Sequence, residues 1–163
     1  MEPSAGEGAF LVPMIRRLLA SLTAHGRGLS DLRGSICAYE LDADSAARAV
    51  ELAERELRKY GASGRQARDL AEGWVSIGDY LLASPTGRRA DIVVGNPPYI
   101  RYDDVPGEAL AAYRRRYPTM VGRGDIYVGF IEAGLRQLTE GGSWASSART
   151  GGCGRRTARS CGA

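Results

Sequence analysis

The sequence predicts an α/β fold, a parallel sheet flanked by helices, and three observations carry that reading. Segments with helical spacing alternate with short apolar runs, the order that builds parallel strands joined by crossover helices. One helical segment, Asp44 to Tyr60, is long and strongly amphipathic. Several apolar runs also stop at an acid or an amide, as strands do when a ligand site lies at their carboxyl edge.

The elements follow in chain order. Phe10 to Leu22 carries Leu11, Met14, Ile15, Leu18, Leu19 and Leu22, a helical stripe. Ser35 to Leu41 (SICAYEL) reads as a buried strand ending in acid. Asp44 to Tyr60 opens with an acidic turn, which favours a helix start, and Asp44 is the expected cap. A helix over Arg65 to Ala71 precedes a short strand around Trp74 to Ile77, and Asp91 to Val94 forms the next strand. Helices fit Glu108 to Arg116 and Ile126 to Leu138. There is no internal repeat, and no linker long enough to divide the chain.

Composition bounds the function. At 44% hydrophobic and 25% charged residues, the chain is expected to be globular. No apolar run approaches the roughly 18 residues of a membrane span, and no leader pattern follows Met1. Three cysteines without metal-like spacing predict a reducing, cytoplasmic setting and no metal site. The net charge of +3 owes everything to Arg149, Arg155, Arg156 and Arg159, which follow Gly142 where there is no acid. The body of the chain is slightly acidic, so charge alone names no partner.

Four places can carry chemistry. In MEPSAGEGAF, Gly6 and Gly8 open directly into a helix, so the backbone can approach a ligand closely near the helix terminus. Glu2 precedes that turn, where a carboxylate can meet a cationic amino group, and Phe10 offers an apolar wall. At the end of the next strand stands Tyr39-Glu40-Leu41-Asp42; Glu40 is placed to accept hydrogen bonds from a ribose diol. Asp79, in Ile77-Gly78-Asp79-Tyr80, ends a third strand and could accept from an adenine amino group. The fourth place is Asn96-Pro97-Pro98-Tyr99 after the strand Asp91 to Val94. The Asn96 side-chain oxygen and the Pro97 carbonyl offer two acceptors for one planar NH₂. Pro98 supplies no N–H and stiffens the turn, and Tyr99 gives a flat face for stacking.

These motifs together resemble an adenine-specific DNA methyltransferase that uses S-adenosylmethionine, of the gamma arrangement found in restriction–modification and phage-defence systems. EPSAGEGAF resembles the first cofactor motif, YELD the second, IGDYL the third and NPPY the catalytic motif. The likeness runs on through YRRRYPTMVGRGDIYVGFIEAGLRQLTEGG. The resemblance implies a Rossmann-like methyltransferase sheet. It implies a cofactor held by Glu2, Pro3, Ala5, Gly6, Gly8, Phe10, Glu40 and Asp79, and a flipped adenine held by Asn96, Pro97, Pro98 and Tyr99. DNA is the implied partner, with a restriction or specificity subunit as a further one. A protein-glutamine methyltransferase shares the planar-amide chemistry, and a cofactor-binding remnant without turnover shares the pocket; both stay open at this level.

Against that pattern the sheet is expected to be incomplete, lacking its first strand and its later ones, with residues 1–142 as a partial catalytic domain. Back-translation of Trp144 onward in a shifted frame permits an apolar strand and a polar loop. Residues 143–163 are therefore expected to be a disordered, frameshifted tail, and the chain by itself to transfer little or no methyl.

Overall fold

A computed structural model describes residues 1–83, 89–122 and 124–147. The chain divides into two compact units, Met1–Asp79 and Tyr80–Ala163. No linker marks this division in the sequence, because it falls in the turn just after a strand.

In the first unit, α1 (Leu11–Ala24) is followed by β1 (Ala38–Glu40), α2 (Ala43–Lys59), α3 (Gly64–Trp74) and β2 (Val75–Ile77). The stripe read on α1 is buried at Leu11, Ile15, Leu19 and Leu22. It joins Ile36, Ala49, Ala53, Leu57, Leu70 and Trp74 in one core. The Trp74 indole N–H donates to the Leu32 carbonyl at 3.1 Å, so a large ring enters the core with its polar atom satisfied. Both α1 and α2 end in a Schellman pair. After α1 the bonds run from Gly26 N–H to the Thr23 carbonyl and from Arg27 N–H to the Leu22 carbonyl; after α2 they run from Gly61 to Arg58 and from Ala62 to Leu57. Gly26 and Gly61 take φ of +62° and +100°, which only glycine adopts without strain.

Two local expectations need correcting here. The cap of α2 is Asp42, whose carboxylate accepts from the Ser45 N–H at 2.8 Å, and not Asp44, which lies inside the first turn. The strand expected over Ser35 to Leu41 shrinks to Ala38–Glu40, because Ser35 N–H closes a turn on the Leu32 carbonyl instead of a ladder. β1 pairs parallel with β2, and on its other side Glu2 forms a parallel bridge with Ala38.

The second unit holds β3 (Ala90–Gly95), a 3-10 turn at Tyr102–Asp104, α4 (Gly107–Arg116), α5 (Ile126–Gln137) and β4 (Leu138–Ser146). Its buried residues include Tyr80, Leu81, Val93, Tyr117, Met120, Ile126 and Phe130. The Tyr80 hydroxyl donates to Gln137 at 2.9 Å and the Tyr117 hydroxyl to the Leu81 carbonyl at 3.0 Å, so these phenols stay satisfied out of water.

β4 corrects the expected tail. Ser143 to Ser146 are not disordered; they pair parallel with Ile92 to Gly95 of β3. Trp144 also lies over α5 so closely that a Cβ built on Gly134 would overlap its ring. A glycine in the middle of a helix is costly by itself, and here it makes the hole that the indole fills. The remainder of the expected tail, 148–163, lies outside the described residues. Among the described residues the strands form two two-stranded parallel sheets, β1-β2 and β3-β4, where one sheet was expected. The class is α/β as read, with parallel pairing throughout. No helix among the described residues is long and apolar enough to cross a membrane.

Candidate functional site

Each unit carries its own group of the residues singled out from sequence. In the first unit the parallel ladder itself gathers them. The Glu2 N–H donates to the Cys37 carbonyl, the Tyr39 N–H to the Glu2 carbonyl, and the Ala5 N–H to the Tyr39 carbonyl. This runs the segment Glu2 to Ala5 alongside β1, so Gly6 arrives at the end where Glu40 stands. There the Gly6 N–H donates to one Glu40 carboxylate oxygen at 2.7 Å, while the Asp42 N–H donates to the other at 2.9 Å. On the far side of β1 the Gly78 N–H donates to the Glu40 carbonyl at 2.8 Å, which places Asp79 one residue beyond the same edge. Glu40, Asp42, Asp79 and the glycine turn thus share one end of a small parallel sheet, while Glu2 lies beside Ala38 at the start of β1.

The turn needs its glycines. Gly6 and Gly8 have φ of +52° and +96°. A Cβ at Gly6 would meet nothing within 4 Å, so its backbone is open to an approaching group. Gly8 packs instead against Ala49 of α2. Pro3 and Ala5 are buried beneath the turn, and Phe10 is half-buried as the residue before α1.

Glu2 is the electrostatic anomaly of the unit. It is fully buried, and neither carboxylate oxygen has a hydrogen-bond partner among the described residues. Desolvation, with a smaller repulsion from Glu40, pushes its carboxyl up to about 8 against the pull of the nearby terminal ammonium. A buried, unpaired carboxylate is costly, so the fold holds the group protonated, and a cation bound beside it would let it ionise. Glu40 differs: each oxygen already accepts one backbone N–H and keeps capacity for another donor, as a diol would require.

Glu56 on α2 shows the contrast with a structural acid. Hydrogen bonds from Arg16 first, then from Lys59, hold its carboxyl down at about 2. Arg16 pins α2 to α1 through both oxygens, and Lys59, within α2 itself, adds a further bond.

In the second unit Asn96 to Tyr99 leave the end of β3, as read. Asn96 is exposed, Pro97 fully buried, Pro98 half-buried and Tyr99 59% exposed. A buried proline beneath an exposed amide and an exposed ring presents those two groups on a stiff support. The turn is tied on both sides. The Ser147 N–H donates to the Gly95 carbonyl before it, and the Ile126 N–H to the Ile100 carbonyl after it. Tyr127, which sequence reasoning did not single out, brings its ring to 6.3 Å from that of Tyr99 with a 38° tilt. In sequence Tyr127 is only one apolar member of the stripe on α5, with nothing to separate it from core.

Comparison with known proteins gives one consistent result. Residues 43–146 match the family model described as Eco57I restriction-modification methylase. The chain is 44% identical over 146 residues to the Type II methyltransferase M.PaeR7I of Pseudomonas aeruginosa, covering 88% of this chain and 25% of that protein. It is 40% identical over 146 residues to the Type II methyltransferase M.XhoI of Xanthomonas vasicola, covering 87% and 27%. It is 33% identical over 150 residues to the Type II methyltransferase M.BstVI of Geobacillus stearothermophilus, covering 88% and 27%. The chain spans about a quarter of the length of these curated relatives.

Proposed function

The chain belongs to the Eco57I restriction-modification methylase family, and on that premise we propose that it carries the cofactor and catalytic segments of an adenine-N6 DNA methyltransferase that uses S-adenosylmethionine. The observation that carries the reading is the end of β3, where a buried Pro97 holds an exposed Asn96 and an exposed Tyr99 in one stiff turn. A DNA base with an exocyclic amine satisfies both groups at once: its amine hydrogens go to acceptors and its ring lies on an aromatic face.

The residues of the first unit fit the cofactor. Glu2 is a fully buried carboxyl with no hydrogen-bond partner among the described residues, and it suits the cationic amino group of the methionine part. Gly6 leaves its backbone face open, and Glu40 keeps acceptor capacity for ribose hydroxyls. Asp79, half-buried beyond β2, is the acceptor assigned to the adenine amine of the cofactor. When bound, S-adenosylmethionine supplies an electrophilic methyl group on a sulfonium.

The chain's own contribution to transfer lies in Asn96 to Tyr99. The Asn96 side-chain oxygen and the Pro97 carbonyl accept from the two hydrogens of the target amine. Acceptance from both sides draws the nitrogen lone pair out of conjugation with the ring and makes it nucleophilic. Tyr99 compensates the stacking that a base loses when it leaves the duplex, a contact worth about 1–3 kcal/mol per base. Pro97 and Pro98 keep this geometry formed before the base arrives, so less order has to be created on binding. The parent activity is placed in restriction–modification or phage defence, with DNA as partner.

Calorimetric titration with S-adenosylmethionine, with Glu40→Ala and Asp79→Ala as controls, tests the cofactor half. Binding that weakens in both variants is expected. Incubation of duplex DNA with excess chain and methyl-labelled cofactor, followed by nucleoside mass spectrometry, tests the other half. Label on the adenine amine supports the reading; absence of cofactor binding, or label on cytosine, would overturn it.

A further inference from the structure

Tyr99 has a pinned backbone and an exposed ring. Gly95 and Ile100 are each held by a backbone hydrogen bond from another element, and Pro97 is fully buried between them. The side-chain torsions remain, and an exposed tyrosine samples several staggered wells unless a neighbour selects one. One such neighbour is Tyr127, in the first turn of α5, with ring centroids 6.3 Å apart and planes tilted by 38°. That separation lies within the range where aromatic pairs attract beyond their buried area. Tyr127 has a firm base itself. Ile126 beside it is 3% exposed, and its N–H is the group that donates to Ile100, one residue past Tyr99. The same short contact therefore registers α5 against the catalytic turn and sets the ring of Tyr127 against that of Tyr99.

We propose that Tyr127 is a positioning residue for base capture: its ring orients the exposed ring of Tyr99 so that a planar base meets a preformed stacking face. The inference rests on the reading of Tyr99 as the stacking platform and adds to it a residue that acts through Tyr99 and not on the base. An attraction of this class biases one ring orientation by about two- to tenfold, and the affinity of a base scales with the fraction of platforms already oriented.

The test is a titration of the full chain against a single-stranded oligonucleotide carrying one 2-aminopurine, whose fluorescence is quenched on stacking. Tyr99→Ala is expected to abolish the quench. Tyr127→Ala is expected to weaken the apparent affinity about two- to tenfold at unchanged limiting quench, and Tyr127→Phe to restore it. In the Tyr99→Ala background Tyr127→Ala should change nothing further, because coupled residues are non-additive. Tyr127→Leu fills the position without a ring and serves where Tyr127→Ala fails to fold. Loss of quench with Tyr99→Ala, but wild-type affinity in Tyr127→Ala or Tyr127→Leu, would overturn this inference and leave the stacking reading standing. An unchanged quench with Tyr99→Ala would overturn both. A loss in Tyr127→Phe equal to that in Tyr127→Ala would show the hydroxyl, not the ring, to be responsible and would reject the proposal.

Discussion

Replacing Glu2 by Gln should make this protein more stable and a poorer binder of its cofactor, with the size of the first effect set by pH. The carboxyl is fully buried without a hydrogen-bond partner among the described residues, and burial foremost raises it from 4.5 to about 8. Because the folded value lies above the unfolded one, the fold favours the protonated form. Below pH 4.5 both states are protonated and the group is neutral in its effect. Between pH 4.5 and about 8 the unfolded chain ionises while the folded chain resists, so stability falls as pH rises. Above that range the loss is complete and corresponds to about 5 kcal/mol, an upper figure that local relaxation will trim. Gln has nearly the shape of a protonated Glu and does not titrate. Urea unfolding followed by circular dichroism should therefore give similar stabilities for the two proteins at pH 5. At pH 9 Glu2→Gln should be the more stable by several kcal/mol. Calorimetry should show the opposite order for S-adenosylmethionine. Its ammonium favours ionised Glu2, so wild-type affinity should strengthen toward pH 8 with release of a proton. Glu2→Gln should bind about 10- to 100-fold more weakly, the worth of a charged hydrogen bond. Parallel stability curves for the two proteins from pH 5 to 9 would refute the reasoning, since they would mean that the carboxyl is solvated or paired.

Glu56 carries the opposite slope. Its carboxyl sits at about 2 through Arg16 and Lys59, so its contribution is complete above pH 4.5 and is lost as pH falls toward 2. Glu56→Gln should lower stability by about 1–2 kcal/mol at pH 7 and flatten the acid limb of the unfolding profile. Gly134→Ala should destabilise by about 1–3 kcal/mol, because the new methyl would overlap the Trp144 ring. A more stable Gly134→Ala protein in urea unfolding would mean that helix propensity wins and the indole is not docked. Asn96→Ala should take any residual methyl transfer seen in single-turnover assays with excess chain below detection while leaving cofactor affinity within about twofold, since it removes only an amine acceptor. An equal loss in cofactor affinity would assign Asn96 to the first site instead.

The sequence by itself marked out most of the elements and the residues on which the proposed chemistry rests. Helical stripes on α1 and α2, acids at the ends of β1 and β2, and the Asn-Pro-Pro-Tyr stop after β3 are local patterns, legible within one or two turns of chain. What needed the tertiary structure is what depends on where the chain returns. Glu2 reads as a carboxylate able to meet a cationic amino group, and only the pairing with Ala38 shows it buried with no hydrogen-bond partner among the described residues. Glu40 reads as a ligand acceptor, and only the fold shows that it also holds the glycine turn through Gly6, 34 residues away. Tyr127 is indistinguishable from its apolar neighbours until Ile100 brings it to Tyr99. β4 was missed because its residues are small and polar and a register shift spoils any alternation; β3 and the hole at Gly134 make it a strand. Local propensity is summed over neighbours in sequence, whereas burial, pairing and charge are decided by neighbours in space.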